Sequence, residues 1–231
     1  MTAVKNPNET NGGSGAIIAI VAILAFFAFA FLAAMFLGGE DPVDINSDGF
    51  EAAPVVVEGT LLEQMPGNTP ISTDPVLDPA IGQTAPTVTG TDFSGVAVEI
   101  LNDGRPKAIY FVAHWCPHCQ VEVPQLVELI GDGEVPDGLD IYLVSTSVKS
   151  DAGNYPPSAW LDGVNWPEPI IRDDNESTAL INFGAGGFPY AVFLNSGHQV
   201  VARAAGETTK EATIQLWNAA VNAEVIATAE G

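Results

Sequence analysis

The chain has 231 residues, enough for one domain of ordinary size with additional segments. It carries 29 acidic and 7 basic side chains, a formal net charge of −22, which argues against nucleic acids and anionic lipid surfaces as partners. Two cysteines are too few for a framework of structural disulfides.

Residues 1–15 read as a short N-terminal tail, and residues 16–37 as a transmembrane anchor. The second segment is 22 consecutive uncharged residues, which as a helix reach about 33 Å, long enough to cross a bilayer. A cleaved signal peptide is the alternative and stays open, although its apolar region is usually about 7–15 residues. Lys5, ahead of the anchor, favours a cytoplasmic N-terminus and an extracytoplasmic globular domain.

Residues 38–80 contain nine acidic residues, no basic residue and several prolines and glycines. This composition predicts a mostly disordered acidic linker. Within it, residues 44–49 match the first half of a calcium loop, but the glutamate expected at the twelfth position is Val55. A turn rich in Asp and Asn is favoured there, with calcium binding left as an alternative.

The globular domain is expected over residues 81–228. Strands are predicted at Val96–Leu101, Ala108–Ala113, Leu139–Ser145, Pro169–Arg172, Tyr190–Leu194 and Gln199–Ala204. Helices are predicted at Pro117–Ile130, Ser158–Asp162, Glu176–Phe183 and Thr208–Glu224. Alternating strands and helices followed by a hairpin at 195–197 predict an α/β fold, a small mixed sheet flanked by helices on both faces.

Both cysteines lie in one motif, Cys116-Pro117-His118-Cys119, directly after the apolar run Ala108–Ala113 and Trp115. A C-x-x-C pair at the start of a helix is typical of a redox dithiol, because unpaired N–H groups and the helix dipole favour a thiolate there. Haem attachment would need a histidine where Gln120 stands.

An inert structural pair and a zinc site that also uses His114 and His118 are weaker alternatives. Four ligands within six residues, spanning a strand end and one helical turn, would hardly surround one ion. His114 itself is interpreted as a packing or rim residue. No metal and no external cofactor are therefore expected beyond a redox-active disulfide between Cys116 and Cys119.

Three segments give the chain a family resemblance. Residues 115–124 (Trp-Cys-x-x-Cys-x-x-Glu-x-Pro) resemble the active-site segment of the membrane-anchored TlpA/ResA-type proteins of the thioredoxin superfamily. Residues 81–95 resemble the N-terminal extension of that family, and residues 187–190 resemble its cis-proline loop. The resemblance implies a thioredoxin-like fold and thiol–disulfide oxidoreductase activity.

The resemblance also assigns roles to eight residues. Cys116 is the expected nucleophile and Cys119 its partner, while Pro117 and His118 form the dipeptide of strongly oxidising DsbA-like members. Glu122 is expected near the cysteines, where it affects their ionisation. The residues expected to bind substrate are Trp115, Phe188 and a cis-configured Pro189.

These features predict a membrane-tethered, extracytoplasmic enzyme that exchanges disulfides with thiols and disulfides of exported proteins and is recycled by a membrane redox partner. Two alternatives stay open: a reductant for specific exported thiols such as apocytochrome c, and a tethered binding module without catalysis. The redox direction is contested within the sequence, since the dipeptide favours an oxidant and the TlpA/ResA-like frame a reductant.

Overall fold

The computed structural model describes residues 51–67 and 71–226. The predicted N-terminal tail, the transmembrane anchor at 16–37 and the calcium-like segment at 44–49 lie outside the described residues. Within the described ranges, no helix is both long and apolar enough to cross a membrane. The anchor therefore stays a prediction from the sequence.

The described residues form eight strands and four helices. The strands are β1 (Val56–Glu58), β2 (Thr87–Thr91), β3 (Ala97–Ile100), β4 (Lys107–Val112), β5 (Asp140–Ser145), β6 (Ile170–Arg172), β7 (Tyr190–Leu194) and β8 (Val200–Ala205). The helices are α1 (Pro117–Gly131), α2 (Pro157–Gly163), α3 (Thr178–Asn182) and α4 (Lys210–Asn222).

Strand β4 is the middle strand of a five-stranded mixed sheet with the order β6-β5-β4-β7-β8. β5 runs parallel to β4, β7 antiparallel to it, and all six residues of β4 are buried. A strand covered on both faces is expected to be continuously apolar, as the run Ala108–Val112 is. The sheet confirms the predicted small mixed sheet of an α/β fold.

The two faces of β4 belong to different hydrophobic clusters because successive side chains of a strand point to opposite faces. Ala108, Tyr110 and Val112 pack in the cluster that contains the buried residues of α1 and α4. Ile109 and Phe111 pack in a second cluster with residues of β2, β3 and the segment before them. The active-site motif is thus attached to a strand held from both sides.

A second, three-stranded antiparallel sheet has the order β1-β2-β3 and packs against the face of the five-stranded sheet that carries Ile109 and Phe111. Its first two strands were not predicted. β2 contains Gly90, where an added Cβ would lie 2.8 Å from Cγ2 of Ile171, so the glycine permits close packing. Gly90 weakened the strand signal of β2, because glycine is depleted in strands.

The prediction of a disordered linker over residues 38–80 was wrong for the described part, residues 51–67 and 71–80. β1 pairs with β2, and Leu62, Met65 and Ala80 are buried in the second hydrophobic cluster. Near its start, Glu51 accepts hydrogen bonds from the N–H (2.8 Å) and hydroxyl (2.7 Å) of Ser158 at the start of α2. The folded domain therefore begins at least 30 residues before the expected boundary at 81.

A buried ion pair joins this segment to the sheet. The side chains of Asp78 and Arg203 are 2% and 0% exposed, and Nε of Arg203 donates to Oδ2 of Asp78 at 2.8 Å. Arg203 also donates to the carbonyl oxygen of Glu63 at 2.7 Å and the hydroxyl of Tyr190 at 3.1 Å. A buried charge is tolerated only with such partners, so the segment satisfies Arg203 of β8.

Replacing Asp78 with Ala should lower the free energy of unfolding by about 3–5 kcal/mol, because it leaves the guanidinium of Arg203 buried without its counter-charge. Glu63→Ala is the matched control: its side chain is exposed and only its backbone contacts Arg203, so a change within about 0.5 kcal/mol is expected. Denaturant unfolding of both variants measures the difference. Equal, small effects would contradict an integral role for this segment.

Candidate active site

Cys116 lies at the junction between the central strand and the first helix. β4 ends at Val112, the N–H of Cys116 donates to the carbonyl oxygen of Ala113 at 2.9 Å, and its own carbonyl oxygen accepts from Gln120 at 3.1 Å. Cys116 is thus the N-cap residue of α1, followed by Pro117 at the first helical position, which proline favours. Its side chain makes no capping hydrogen bond, so the thiol is left for chemistry.

The two cysteines differ in burial. Both are free thiols; Cys116 is 5% exposed and Cys119 0%. Burial raises the pKa of the Cys119 thiol well above its usual range, opposed by a backbone hydrogen bond with Ala113 and reinforced by Cys116 and by the nearby charge of Glu122. Cys119 therefore stays protonated near neutral pH, and Cys116 is the more accessible sulfur.

The loop before β7 reaches the same edge of the sheet. Because β4 and β7 are antiparallel with Phe111 opposite Tyr190, the end of one strand lies beside the start of the other. The Phe188–Pro189 peptide bond is cis, as expected from the sequence. The rings of Trp115 and Phe188 meet edge to face with centroids 5.7 Å apart, which joins this loop to the residue before Cys116.

The end of β8 completes this edge. The N–H of Gly206 donates to the carbonyl oxygen of Pro189 at 2.8 Å, which brings Glu207 to the active-site motif. Nδ1 of His118 lies 3.1 Å from Oε2 of Glu207. Since a carboxylate only accepts, Nδ1 carries the proton in this contact. The side chains of His118 and Glu207 are 66% and 37% exposed, so the pair lies at the surface of the site.

Glu122 is buried behind the cysteines, with only 2% of its surface exposed. Its Oε1 accepts from the N–H of Thr208 at 3.0 Å and from the hydroxyl of Thr208 at 2.6 Å. Burial raises the pKa of Glu122; the hydrogen bonds from Thr208 oppose this rise, and the negative charge of Glu207 adds to it. The negative charge of Glu122 adds to the rise in the pKa of the Cys119 thiol.

His114 is a packing residue and not a ligand. It is 1% exposed, its Nδ1 donates to the carbonyl oxygen of Gly153 at 2.9 Å, and its Nε2 accepts from the N–H of Lys149 at 3.1 Å. Both ring nitrogens are therefore occupied. Among residues 51–67 and 71–226, no group of three or more His, Cys, Asp and Glu side chains is arranged to hold a metal ion.

Sequence reasoning missed Glu207, Thr208 and Lys149 at this edge. The first two directly follow Gly206 at the end of β8, and Lys149 comes four residues after β5. β5 is parallel to β4, so both strands end at the edge where Cys116 lies. Assigning strand directions before searching for polar residues would have found all three.

Comparison with known proteins gives two kinds of relative. The thiol–disulfide oxidoreductase ResA of Bacillus thuringiensis is 28% identical over 137 residues, 57% of this chain and 73% of its own length. The thiol:disulfide interchange protein HelX of Rhodobacter capsulatus is 26% identical over 111 residues, 48% of this chain and 58% of its own. No protein-family profile matches the sequence.

Among solved structures, a DsbF homologue from Corynebacterium diphtheriae superposes with a TM-score of 0.54 at 19% identity, over 69% of this chain and 99% of that protein. At this identity the likeness shows the fold, which is thioredoxin-like. ResA and HelX confirm the predicted resemblance to ResA/TlpA-type thiol–disulfide oxidoreductases.

Glu122→Gln should make stability less dependent on pH. Because the pKa of Glu122 is higher in the folded state, the unfolded chain loses the carboxyl proton of Glu122 at a lower pH than the folded protein does. The contribution of Glu122 to the free energy of unfolding therefore falls as pH rises from the ordinary carboxyl range through the raised pKa. An amide keeps an oxygen that accepts from Thr208 without titrating.

Unfolding midpoints of wild type and Glu122→Gln, measured from pH 4 to pH 8, test this directly. The unfolding midpoint of Glu122→Gln, relative to that of wild type, should increase as pH rises. Asp173 is a second buried acid with a raised pKa, but it is present in both proteins and cancels in the comparison. Parallel pH curves for the two proteins would contradict a raised pKa at Glu122.

Proposed function

We propose that this chain, a ResA-like thiol–disulfide oxidoreductase of thioredoxin-like fold, exchanges disulfides with exported proteins while tethered to a membrane by residues 16–37. The unequal burial of Cys116 and Cys119 supports the catalytic assignment most directly. The uncharged N-terminal segment and the lone Lys5 before it support the tether and an extracytoplasmic domain. A membrane redox partner would return Cys116 and Cys119 to their starting redox state after each exchange.

The reaction follows from the accessibility of the two sulfurs. As a reductant, the Cys116 thiolate attacks one sulfur of a substrate disulfide, forming a mixed disulfide and releasing one substrate thiolate, which takes up a proton. Cys119 then loses its proton and attacks the Cys116 sulfur, which releases the second substrate thiol. Two electrons leave the dithiol, one protein disulfide forms, and oxidation of a substrate is the reverse sequence.

The proton of Cys119 needs an acceptor within the buried region. In the sequence, Tyr110 stands six residues before Cys116, where thioredoxins often have an acid, and its hydroxyl oxygen accepts a hydrogen bond from Nε1 of Trp217 at 2.8 Å. Glu122 is the buried carboxylate whose charge acts on Cys119. We assign Glu122 the role of assisting this deprotonation, with water or the substrate thiolate as the alternative acceptor.

The direction of exchange depends on what stabilises the thiolate. His118 lies between the two cysteines and favours the reduced form, while Glu207 beside it and Glu122 behind it add negative charge. We weight His118 most because it stands between the two cysteines of the motif, two residues after Cys116, and propose a potential nearer to that of DsbA, about −120 mV, than of thioredoxin, about −270 mV. The likeness to ResA and HelX keeps a reductant as the second candidate.

Activity of the full chain tests the enzyme assignment. Wild type should catalyse reduction of insulin disulfides by dithiothreitol or oxidation of a dithiol peptide, and Cys116→Ser should reduce the rate to that of the uncatalysed reaction because the attacking sulfur is gone. A matched variant, Ser94→Ala, alters an exposed hydroxyl elsewhere and should keep the full rate. A wild-type rate equal to that of Cys116→Ser would favour the binding-module alternative.

The potential of the dithiol should respond to His118 and Glu207 in opposite directions. His118→Ala should lower it, making the disulfide harder to reduce. Glu207→Gln removes a negative charge beside His118 and should raise it by about 5–20 mV, the equivalent of one exposed ion pair. In the His118→Ala background the effect of Glu207→Gln should shrink.

Equilibration of the four proteins with glutathione measures these shifts. A wild-type value below about −230 mV would make the reductant the better description. An unchanged or raised potential in His118→Ala would contradict the role assigned to His118.

A further inference from the structure

The ammonium group of Lys149 lies over the indole ring of Trp115, with Nζ 3.6 Å from the ring centroid. Trp115 is the residue directly before Cys116, and the Lys149 side chain is exposed. A cation at this distance from an aromatic face is attracted to it. A positive charge is thus held against the side chain that precedes Cys116, on the side where β5 ends.

The backbone on both sides of this contact is tied down. The N–H of Lys149 donates to Nε2 of His114 at 3.1 Å, and Nε1 of Trp115 donates to the carbonyl oxygen of Ser147 at 2.7 Å. The loop after β5 and the turn before Cys116 are therefore fixed to each other by two hydrogen bonds. Binding an anion at Lys149 needs little further ordering of this loop.

Within residues 51–67 and 71–226, Lys149 also differs from the other basic residues in the contacts that its side chain makes. Four of them form ion pairs with carboxylates: Arg105 with Asp140, Lys107 with Asp103, Arg203 with Asp78 and Lys210 with Glu128. Arg172 donates to the hydroxyl of Thr91. In these described ranges, no carboxylate lies within ion-pair distance of Lys149, although the chain carries 29 acidic residues.

The charges around Cys116 are consequently asymmetric. Lys149 supplies a positive charge on the side of β5, and Glu207 supplies a negative charge beside His118, where β8 ends. A peptide bound across Cys116 therefore has a positive charge near one of its ends and a negative charge near the other. Such an arrangement favours one orientation of a substrate over the reverse.

We propose that Lys149, supported by Trp115, is a specificity-determining residue that binds the carboxylate of an Asp or Glu side chain next to the reacting cysteine of a substrate. The inference rests on the proposed thiol–disulfide exchange and adds its substrate class. The ammonium already covers the face of Trp115, so an apolar side chain gains little there, whereas a carboxylate can accept from the N–H groups that point away from the ring.

The size of the effect follows from the exposure of the pair. An exposed ion pair corresponds to about a twofold to fivefold preference at low salt, and it weakens as salt screens the charges. The net charge of −22 repels every acidic peptide, so the preference must be read against a variant that loses the same charge elsewhere. Lys210, paired with Glu128 on the surface, supplies that control.

The test is a competition between two short peptides that carry Glu or Gln beside a single cysteine, each as a mixed disulfide with thiopyridine, a good leaving group that even a strongly oxidising dithiol displaces. The reduced full chain is added in limiting amount. Each turnover oxidises Cys116 and Cys119 to one disulfide and releases one peptide thiol and one thiopyridine. Chromatography of the released thiols gives the ratio of the two kcat/KM values for wild type, Lys149→Gln, Lys149→Arg and Lys210→Gln.

The Glu-to-Gln ratio should fall about twofold to fivefold in Lys149→Gln, and stay near the wild-type value in Lys149→Arg and Lys210→Gln. In 0.5 M NaCl the difference between Lys149→Gln and wild type should largely disappear. Equal ratios in Lys149→Gln and Lys210→Gln would overturn the inference while leaving the proposed function intact. Failure of wild type to reduce either peptide would instead contradict the proposed function.

Discussion

The position of β4 determines the rest of the site. This strand is buried along its length between a parallel and an antiparallel neighbour, so its end is fixed in space. β5 ends at the same edge, and β7 begins there. Chain segments that are far apart in sequence therefore converge on Cys116: the loop with Lys149, the cis-proline loop at Pro189, and Glu207 after β8.

The two sulfurs differ in burial and therefore in their expected roles. Cys119 is completely enclosed by apolar side chains of α1 and the sheet, which suppresses its thiolate, whereas Cys116, the N-cap residue of α1, keeps 5% of its surface exposed. The same apolar region contains the carboxyl group of Glu122, held by two hydrogen bonds from Thr208. Burying an acid is costly unless it is hydrogen-bonded, so this arrangement is specific to the site and does not serve core packing alone. The charge of Glu122 adds to the rise in the pKa of Cys119, and the hydrogen bonds from Thr208 oppose the rise that burial causes in the pKa of Glu122.

The sequence was most informative where strong local signals coincide. The apolar run 108–113 followed by the C-x-x-C motif predicted β4, α1 and the position of Cys116, and Tyr190–Leu194 was predicted with its observed bounds. Residues 51–67 and 71–80 were misjudged because they are acidic and lack periodicity, yet they add β1 to the edge of β2 and pair Asp78 with Arg203 across 125 positions. Glu207 escaped notice because its relation to His118 exists only once the sheet is assembled.

The proposed roles of Cys116 as the attacking sulfur and Cys119 as the resolving one are tested most directly by trapping mixed disulfides on cysteine variants. Full-length Cys119→Ser and Cys116→Ser should each be mixed with a disulfide peptide and analysed by mass spectrometry without reductant. The burial of the two thiols predicts a stable mixed disulfide on Cys116 in Cys119→Ser and little adduct on Cys119 in Cys116→Ser. Equal adduct formation on both sulfurs, or faster formation on Cys119, would contradict the account.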